Sequence, residues 1–540
     1  MKVNLTSLTD REGWARAGVR LPAYDVRAMR DRTGAEPTWV HFGAGNIFRA
    51  YIAALQQRLL DAGVEITGIV AADTFDVDNI RRVFGDHDNL TLNVTLNADA
   101  TIDKEILASV AEALVARPGE ARDWARLCQV FAAPTLQIVS FTITEKGYGL
   151  RGFDGAYLPD VQQDLLEGPA NPRHAMSIAC ALLLQRYLHG AFPLAVVSMD
   201  NCSHNGEKLR GAILEVAKRW EESGFVPRAF IEWISNEACV AFPWTMIDKI
   251  TPRPSEAVER MLEDAGIEEM KPIKTDSGTF VAPFANAERA QYLVIEDRFP
   301  AGRPALERAG VYLTDRDTVN RTERMKVTTC LNPLHTALAV YGCLLGYTLI
   351  CEEMKDADLA RLVRRLGYDE GLPVVTDPGI LRPRDFIDEV VEERLPNPFM
   401  PDAPQRIATD TSQKVGIRFG ETIRSYVAQG RDLNDLIALP LAIAGWLRYL
   451  LAFDDEGREM ERSADPLLSE LSAALSGVRW NDPDSLGHKA RPILSNAQIF
   501  GSDLMAIGLG ERIEGYLREL LAGKGAVRET LRKHIMEASK

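Results

Sequence analysis

The chain has little cysteine chemistry to offer. Its seven cysteines, Cys128, Cys180, Cys202, Cys239, Cys330, Cys343 and Cys351, are odd in number, scattered and without a CxxC pair, so a disulfide framework is not indicated. No run of roughly eighteen apolar residues is present. The opening MKVNLTSLTDREGW also lacks the apolar stretch of a secretory signal, and the expectation is a cytoplasmic protein. Positive charge is in short supply: 62 Lys and Arg stand against 77 Asp and Glu, a net charge of -15. A broad cationic face for nucleic acid or an anionic membrane is therefore not expected. A small anionic ligand is still allowed, because it needs only two or three cations placed locally. Internal repeats, low-complexity stretches and coiled-coil heptads are absent as well.

What remains is ordinary globular composition, 46% hydrophobic and 26% charged over 540 residues, enough for more than one core. Residues 38–42 form an apolar run ending in Gly43-Ala44-Gly45-Asn46, and residues 48–60 follow with helical spacing. Further apolar runs at 66–72, 136–143 and 194–198 end respectively in Asp73, Thr144-Glu145-Lys146-Gly147 and Met199-Asp200-Asn201. Strands alternating with helices predict an α/β fold, a Rossmann-like and mostly parallel sheet with polar residues at the carboxyl ends of its strands. Residues 90–102 alternate apolar and polar, which predicts a hairpin strand with one solvated face in an antiparallel extension of that sheet. After about Asp315 helical periodicity takes over. We place a cofactor domain at residues 1–315 and a mainly α-helical C-terminal domain at 316–540, with the four-proline stretch 395–406 as a loop inside it.

Gly43-x-Gly45 between a strand and a helix lets the backbone approach a pyrophosphate at a helix amino end. Phe48 stands where GxGxxG has its third glycine, so a plain strand-to-helix turn is nearly as good a reading on local grounds. Asp73 at the end of the second strand adds weight, since a carboxylate there accepts the adenosine ribose hydroxyls and repels a 2′-phosphate. That favours NAD over NADP, although Asp73 also reads as a helix cap and Arg81-Arg82 leaves room for NADP. Gly43, Gly45, Asn46, Asp73, Thr144 and Glu145 are the candidate cofactor contacts.

The densest polar cluster in an apolar helical stretch is RTERMKVTTCLNPLHTALAVYG, residues 321–342. Asn332 and His335 are three apart and share a face. Lys326 lies off that face in a regular helix, but Pro333 disfavours helical geometry at Asn332 and lets the helix distort or restart. Lysine with a lowered pKa can take the proton of a secondary alcohol as hydride leaves, and amide donors stabilise the developing oxyanion without a metal. Singly, each residue has a plainer reading: a snorkelling lysine, a helix cap, a satisfied core histidine.

Six segments in order, HFGAGNIFRA from His41, SFTITEKGY from Ser140, MDNCSHNGEKLR from Met199, FPWTMIDKITP from Phe242, MKVTTCLNPLH from Met325 and DTSQK from Asp410, resemble the polyol-specific long-chain dehydrogenases, the family of the mannitol dehydrogenases and fructuronate reductases. The resemblance runs roughly over residues 41–418 and fades beyond about 451. It implies that Lys326 is the general acid/base and Glu323 the carboxylate passing its proton to solvent. Asn332 and Asn201 become the paired amides on the reacting oxygen, and His335 orients the substrate. Ile247 and Asp248 fall where the family contacts cofactor and substrate, and Arg406 and Lys414 match a basic pair lining the substrate site. Two departures stand out. Asn332 is followed by Pro333-Leu334 where the family has two small residues. The family has four residues between lysine and asparagine, and this chain has five.

The reaction this implies is metal-independent and NAD-dependent: D-fructuronate and NADH to D-mannonate and NAD, with Arg406 and Lys414 pairing the substrate carboxylate. Mannitol 2-dehydrogenase and tagaturonate reductase are alternatives on the same scaffold. A zinc enzyme using Cys202, His204 and His335 has no recognised ligand spacing behind it, and a non-catalytic NAD-binding regulator would leave the proton-transfer groups unexplained. The expected state is a monomer or small homo-oligomer acting on a small sugar acid or polyol.

Overall fold

The computed structural model describes residues 1–537. The chain divides into two compact units, Met1–Asn97 with Thr101–Asn320, and Ala98–Ala100 with the residues from Arg321 onward.

In the first unit six strands, β1 (Trp39–Phe42), β2 (Ile69–Asp73), β3 (Val110–Val115), β4 (Ile138–Phe141), β5 (Leu194–Ser198) and β6 (Val240–Ala241), form one sheet in the order β3-β2-β1-β4-β5-β6. Every neighbouring pair is parallel. All residues of β1, β2, β4 and β5 are buried, which is why these strands read as continuous apolar runs. Val40, Phe42, Val70, Val139 and Val196 pack on one face with helices Ala121–Ala132, Ala175–Leu188 and Asn205–Glu222. Trp39, Ala71, Ile138 and Val197 pack on the other with Phe48, Ile52 and Leu55. The order reverses between β1 and β4, so the loops leaving β1, β2, β4 and β5 border a crevice at the carboxyl edge. At the opposite edge Arg186, fully buried, donates to the carbonyls of Phe131, Ala133, Leu136, Phe192 and Pro193 and ties down the segments that enter β4 and β5.

The predicted hairpin exists, Thr91–Leu96 against Ile102–Leu107, but does not lengthen the parallel sheet. It joins Val19–Arg20 and Phe284–Glu288 in a four-stranded sheet of its own. Nor does Thr91–Leu96 have a solvated face: Asn93 is buried and donates to Glu105 across the strand pair at 2.9 Å, so a cross-strand partner replaces water. A third sheet joins Thr245–Asp248, Tyr292–Glu296 and Tyr312–Thr314.

The second unit is helical around two helices, Asn332–Leu345 and Ala438–Tyr449, that are apolar on almost every side and correspondingly buried. Gly445 makes their approach possible. A Cβ there would lie 2.8 Å from the Tyr341 ring, whose hydroxyl donates to the Leu441 carbonyl at 2.9 Å. Residues beyond 451 complete this core: buried Arg448 donates to the carbonyls of Phe453, Asp454 and Leu520, and Asp455 accepts from the Val527 amide at 2.8 Å. The four-proline stretch is turns followed by a short helix, Pro404–Ile407. Among the described residues no helix is long and apolar enough to cross a membrane, and all seven cysteines are free thiols.

Candidate active site

The turn after β1 is shaped by contacts that explain one glycine and leave the other to a ligand. Gly43 has φ +97°, and a Cβ on it would sit 2.1 Å from the Thr142 carbonyl oxygen, so the fold itself requires glycine there. Gly45 has no such constraint, for a Cβ on it would meet no protein atom within 4 Å. Open space beside a glycine at the start of a helix, with unpaired amide groups of a first helical turn, fits the close passage of a pyrophosphate. Asn46 is held by Arg49, which donates to its side-chain oxygen at 2.7 Å and to the Ala282 carbonyl at 2.6 Å. Arg49 is thereby occupied within the protein.

Asp73, at the carboxyl end of β2, accepts from the backbone amides of Ala44, Phe75 and Asp76 at 3.1, 2.8 and 2.9 Å. It locks the glycine turn to the next loop. Burial pushes its carboxyl above the usual range, and the three N–H donors pull the other way. Under the turn His41 bridges Ser140 and Thr142 at 2.6 and 2.8 Å and stacks on Phe48, and burial alone holds its imidazole down at about 3, hence neutral.

Asp200, not singled out from the sequence, organises the β4 and β5 loops. It accepts from the Ile143 and Thr144 amides at 2.8 and 3.1 Å and from the Tyr148 hydroxyl at 2.5 Å. Thr144 is thereby kept in a left-handed conformation, φ +65°, unusual for a β-branched residue. The only sequence signal was its place in MDN at a strand end. Asn205 is a second such residue: its side chain exchanges hydrogen bonds with Thr245 and donates to the Asp200 carbonyl, fixing strand Thr245–Asp248 beside β5. Asn201 is exposed on the same loop, whereas Asp248 and Ile247 are buried in that strand, Ile247 within the core cluster. Glu145 is exposed and paired with Lys208.

The second unit carries the remaining candidates. Lys326 is buried, and from it to Cys330 the chain makes a π-helical turn in which the Leu331 amide donates to the Lys326 carbonyl at 3.1 Å. A π-turn accommodates one additional residue without shifting the register of the helix on either side. This turn overlaps the five residues that separate Lys326 from Asn332. The α-helix restarts at Asn332 with Pro333 in its first turn, where a missing N–H costs nothing. Asn332 is half-buried and its side-chain amide has no protein partner among the described residues. Glu323 is half-buried one turn before Lys326.

His335 Nε2 is sealed from solvent and 3.7 Å from Asp402, beyond hydrogen-bond reach. Burial holds the imidazole below its ordinary range; Asp402 opposes this, and Arg418, Arg406 and Arg394 reinforce it. Lys414 donates to the Thr409 carbonyl, and its pKa is lowered by burial and by Arg418. Arg406 is exposed and already paired with Asp402. The second unit therefore brings His335, Arg406 and Lys414 into one electrostatic neighbourhood and adds Arg418, which the sequence did not point to. No three His, Cys, Asp or Glu side chains among the described residues are grouped as a metal site would need.

A parallel sheet in this strand order, with a glycine turn after its first strand and an acid after its second, defines the dinucleotide-binding half of an oxidoreductase. Known proteins agree. The family model of the mannitol dehydrogenase Rossmann domain matches residues 37–308, and that of the mannitol dehydrogenase C-terminal domain matches residues 318–513. A D-mannonate oxidoreductase of Thermotoga maritima is 49% identical over 534 residues, 98% of each chain. Among solved structures, a substrate-free D-sorbitol dehydrogenase superposes with TM-score 0.80 at 25% identity, over 98% of this chain and 100% of the other. The Pseudomonas fluorescens mannitol 2-dehydrogenase ternary complex with NAD and D-mannitol gives 0.68 at 28%, over 99% and 100%. The chain belongs to the mannitol dehydrogenase family and is an oxidoreductase. The match reaches well past residue 451, where the motif resemblance had faded.

Proposed function

We propose that this enzyme interconverts a keto-uronate and an aldonate with NAD, in the direction D-fructuronate and NADH to D-mannonate. The observation that carries the reading is the relative named D-mannonate oxidoreductase, 49% identical over 98% of both chains. The cations Arg406 and Lys414 near His335 suit a substrate carboxylate, which a neutral polyol would not need. NAD is the cofactor because Gly43, Gly45 and Asn46 suit its pyrophosphate and Asp73 disfavours a 2′-phosphate.

When bound, the nicotinamide takes or gives the hydride at the reacting carbon. Lys326 takes the hydroxyl proton in oxidation and returns it to the keto oxygen in reduction, Glu323 exchanging it with water. Asn332 and Asn201 donate to the reacting oxygen as its charge develops. His335, neutral because buried, fixes a substrate hydroxyl, and Asp248 holds another. No step here asks for a metal ion.

The test is a panel of D-mannonate, D-altronate, D-mannitol and D-arabinitol with NAD and NADP, followed by cofactor absorbance. D-mannonate with NAD is expected to give the highest kcat/KM. Preference for D-mannitol would make the enzyme a mannitol 2-dehydrogenase, preference for D-altronate a tagaturonate reductase, and bound NAD with no turnover on any of the four a regulator.

A further inference from the structure

Two of the buried arginines, Arg186 and Arg448, spend their guanidinium groups on carbonyl oxygens. Arg186 has five such acceptors and Arg448 three. Arg418 is different. It lies in the wide turn Gly416–Gly420, and its one side-chain hydrogen bond runs from Nη1 to the Thr336 hydroxyl at 2.6 Å. Among the described residues it pairs with no carboxylate, and its other guanidinium N–H groups have no protein acceptor. Its placement is nevertheless fixed. Thr336 follows His335 in the helix and is itself held by the Asn332 carbonyl at 2.9 Å, while the Arg418 amide donates to the Lys414 carbonyl at 2.9 Å, one turn back.

Arg418 is thus anchored through Thr336 to the turn that carries Asn332 and His335. The carboxylates of this neighbourhood are engaged or distant from it: Asp402 pairs with Arg406, Asp465 accepts from the Ser412 and Leu467 amides, and Asp410 acts on Lys414. Arg406 adds to the positive field at His335, but it is exposed and its guanidinium already pairs with Asp402.

We propose that Arg418, braced by Thr336 and flanked by Lys414, is the residue that selects a carboxylate-bearing substrate, its unoccupied N–H groups receiving the carboxylate end of an aldonate or keto-uronate. A planar guanidinium held at one nitrogen presents its remaining edge to a carboxylate in two parallel hydrogen bonds, a geometry lysine cannot reproduce. The same edge gives a neutral polyol hydroxyl only one uncharged acceptor. Desolvation acts in the same direction: burial lowers the Arg418 pKa to about 10, so the cation is held with part of its hydration removed and gains more from an anion than a solvated arginine would. This assignment rests on the sugar-acid reading above.

The experiment compares wild type with Arg418→Met and Arg418→Lys, reading KM for D-mannonate against KM, or the inhibition constant, for D-mannitol, with circular dichroism as the check on folding. The expected result is a ratio of the two constants that shifts about 10- to 100-fold against D-mannonate in Arg418→Met, carried by KM more than by kcat. Arg418→Lys should restore part of that shift, and millimolar guanidinium should restore part of it in Arg418→Met alone. A wild type that prefers D-mannonate, with variants losing equally on both ligands or on neither, overturns the role of Arg418 and leaves the sugar-acid reading standing. A wild type that ignores D-mannonate overturns both. Should Arg418→Met fail to fold, the ratio in Arg418→Lys decides: an unchanged ratio overturns the proposal.

Discussion

The two units finish their candidate residues in opposite ways. In the first unit Asp73 and Asp200 each hold three donors from the surrounding loops, and Asn205 is bonded on both ends of its amide. In the second, the Asn332 amide and most of the Arg418 fork have no protein partner among the described residues. On the proposed function, a unit that binds the same cofactor in every turnover gains from being a closed rack, because nothing then reorganises on binding. A unit that follows a substrate from alcohol to ketone needs donors left over for it.

Lys326→Ala breaks the open half most severely. Turnover is expected to fall by about 10²- to 10⁴-fold, the range of a positioned acid/base, with NADH affinity unchanged by fluorescence titration. Turnover within about threefold of wild type would remove the lysine from the mechanism.

The closed half is broken more selectively at its two glycines. Gly43→Ala drives a Cβ into the Thr142 carbonyl in a backbone region alanine resists, and a loss of stability on the order of 3 kcal/mol is expected in thermal unfolding. Gly45→Ala meets no protein atom, so the melting temperature should hold while KM for NAD rises about tenfold. Equal melting losses in both variants would mean that Gly45 serves the fold and not the cofactor.

How far the sequence could be read follows the same division. Strand Leu194–Ser198 was predicted to the residue and β1 to within one, because strands covered on both faces are unbroken apolar runs. Val110–Val115 was missed: it carries Glu112 at a half-exposed position and meets β2 through a register irregularity, so its pattern is neither continuous nor alternating. The hairpin was legible and its sheet was not, since pairing with Phe284–Glu288, nearly two hundred residues on, leaves no local signal. In the site, Lys326, Asn332 and His335 stood out as polar residues in an apolar stretch. The π-turn between Lys326 and Asn332 did not, because a wide turn has no composition of its own. Asp200 was hidden beside Asn201, and Arg418 has only one arginine's worth of sequence.

An unpaired group is not by itself a sign of a ligand, and Glu353 shows the limit of the comparison. It lies in the second unit, fully buried, with neither carboxyl oxygen hydrogen-bonded, pressed against Gly342, where a Cβ would lie 1.9 Å from Oε1. Burial, with Asp356 nearby, pushes its pKa up to about 9, so the carboxyl is neutral in the folded enzyme at physiological pH. The unfolded chain ionises it near the ordinary value of about 4.3. A folded pKa above the unfolded one means that its contribution is fully present below about pH 4.3 and is lost progressively as pH rises toward about 9. Glu353→Gln keeps the shape and removes the titration. Its melting temperature should match wild type near pH 5 and exceed it by a few degrees near pH 8, the gap widening steadily between. Parallel melting curves across that window would show that Glu353 is paired or hydrated in solution, and would weaken the use of missing partners as a guide at Arg418 as well.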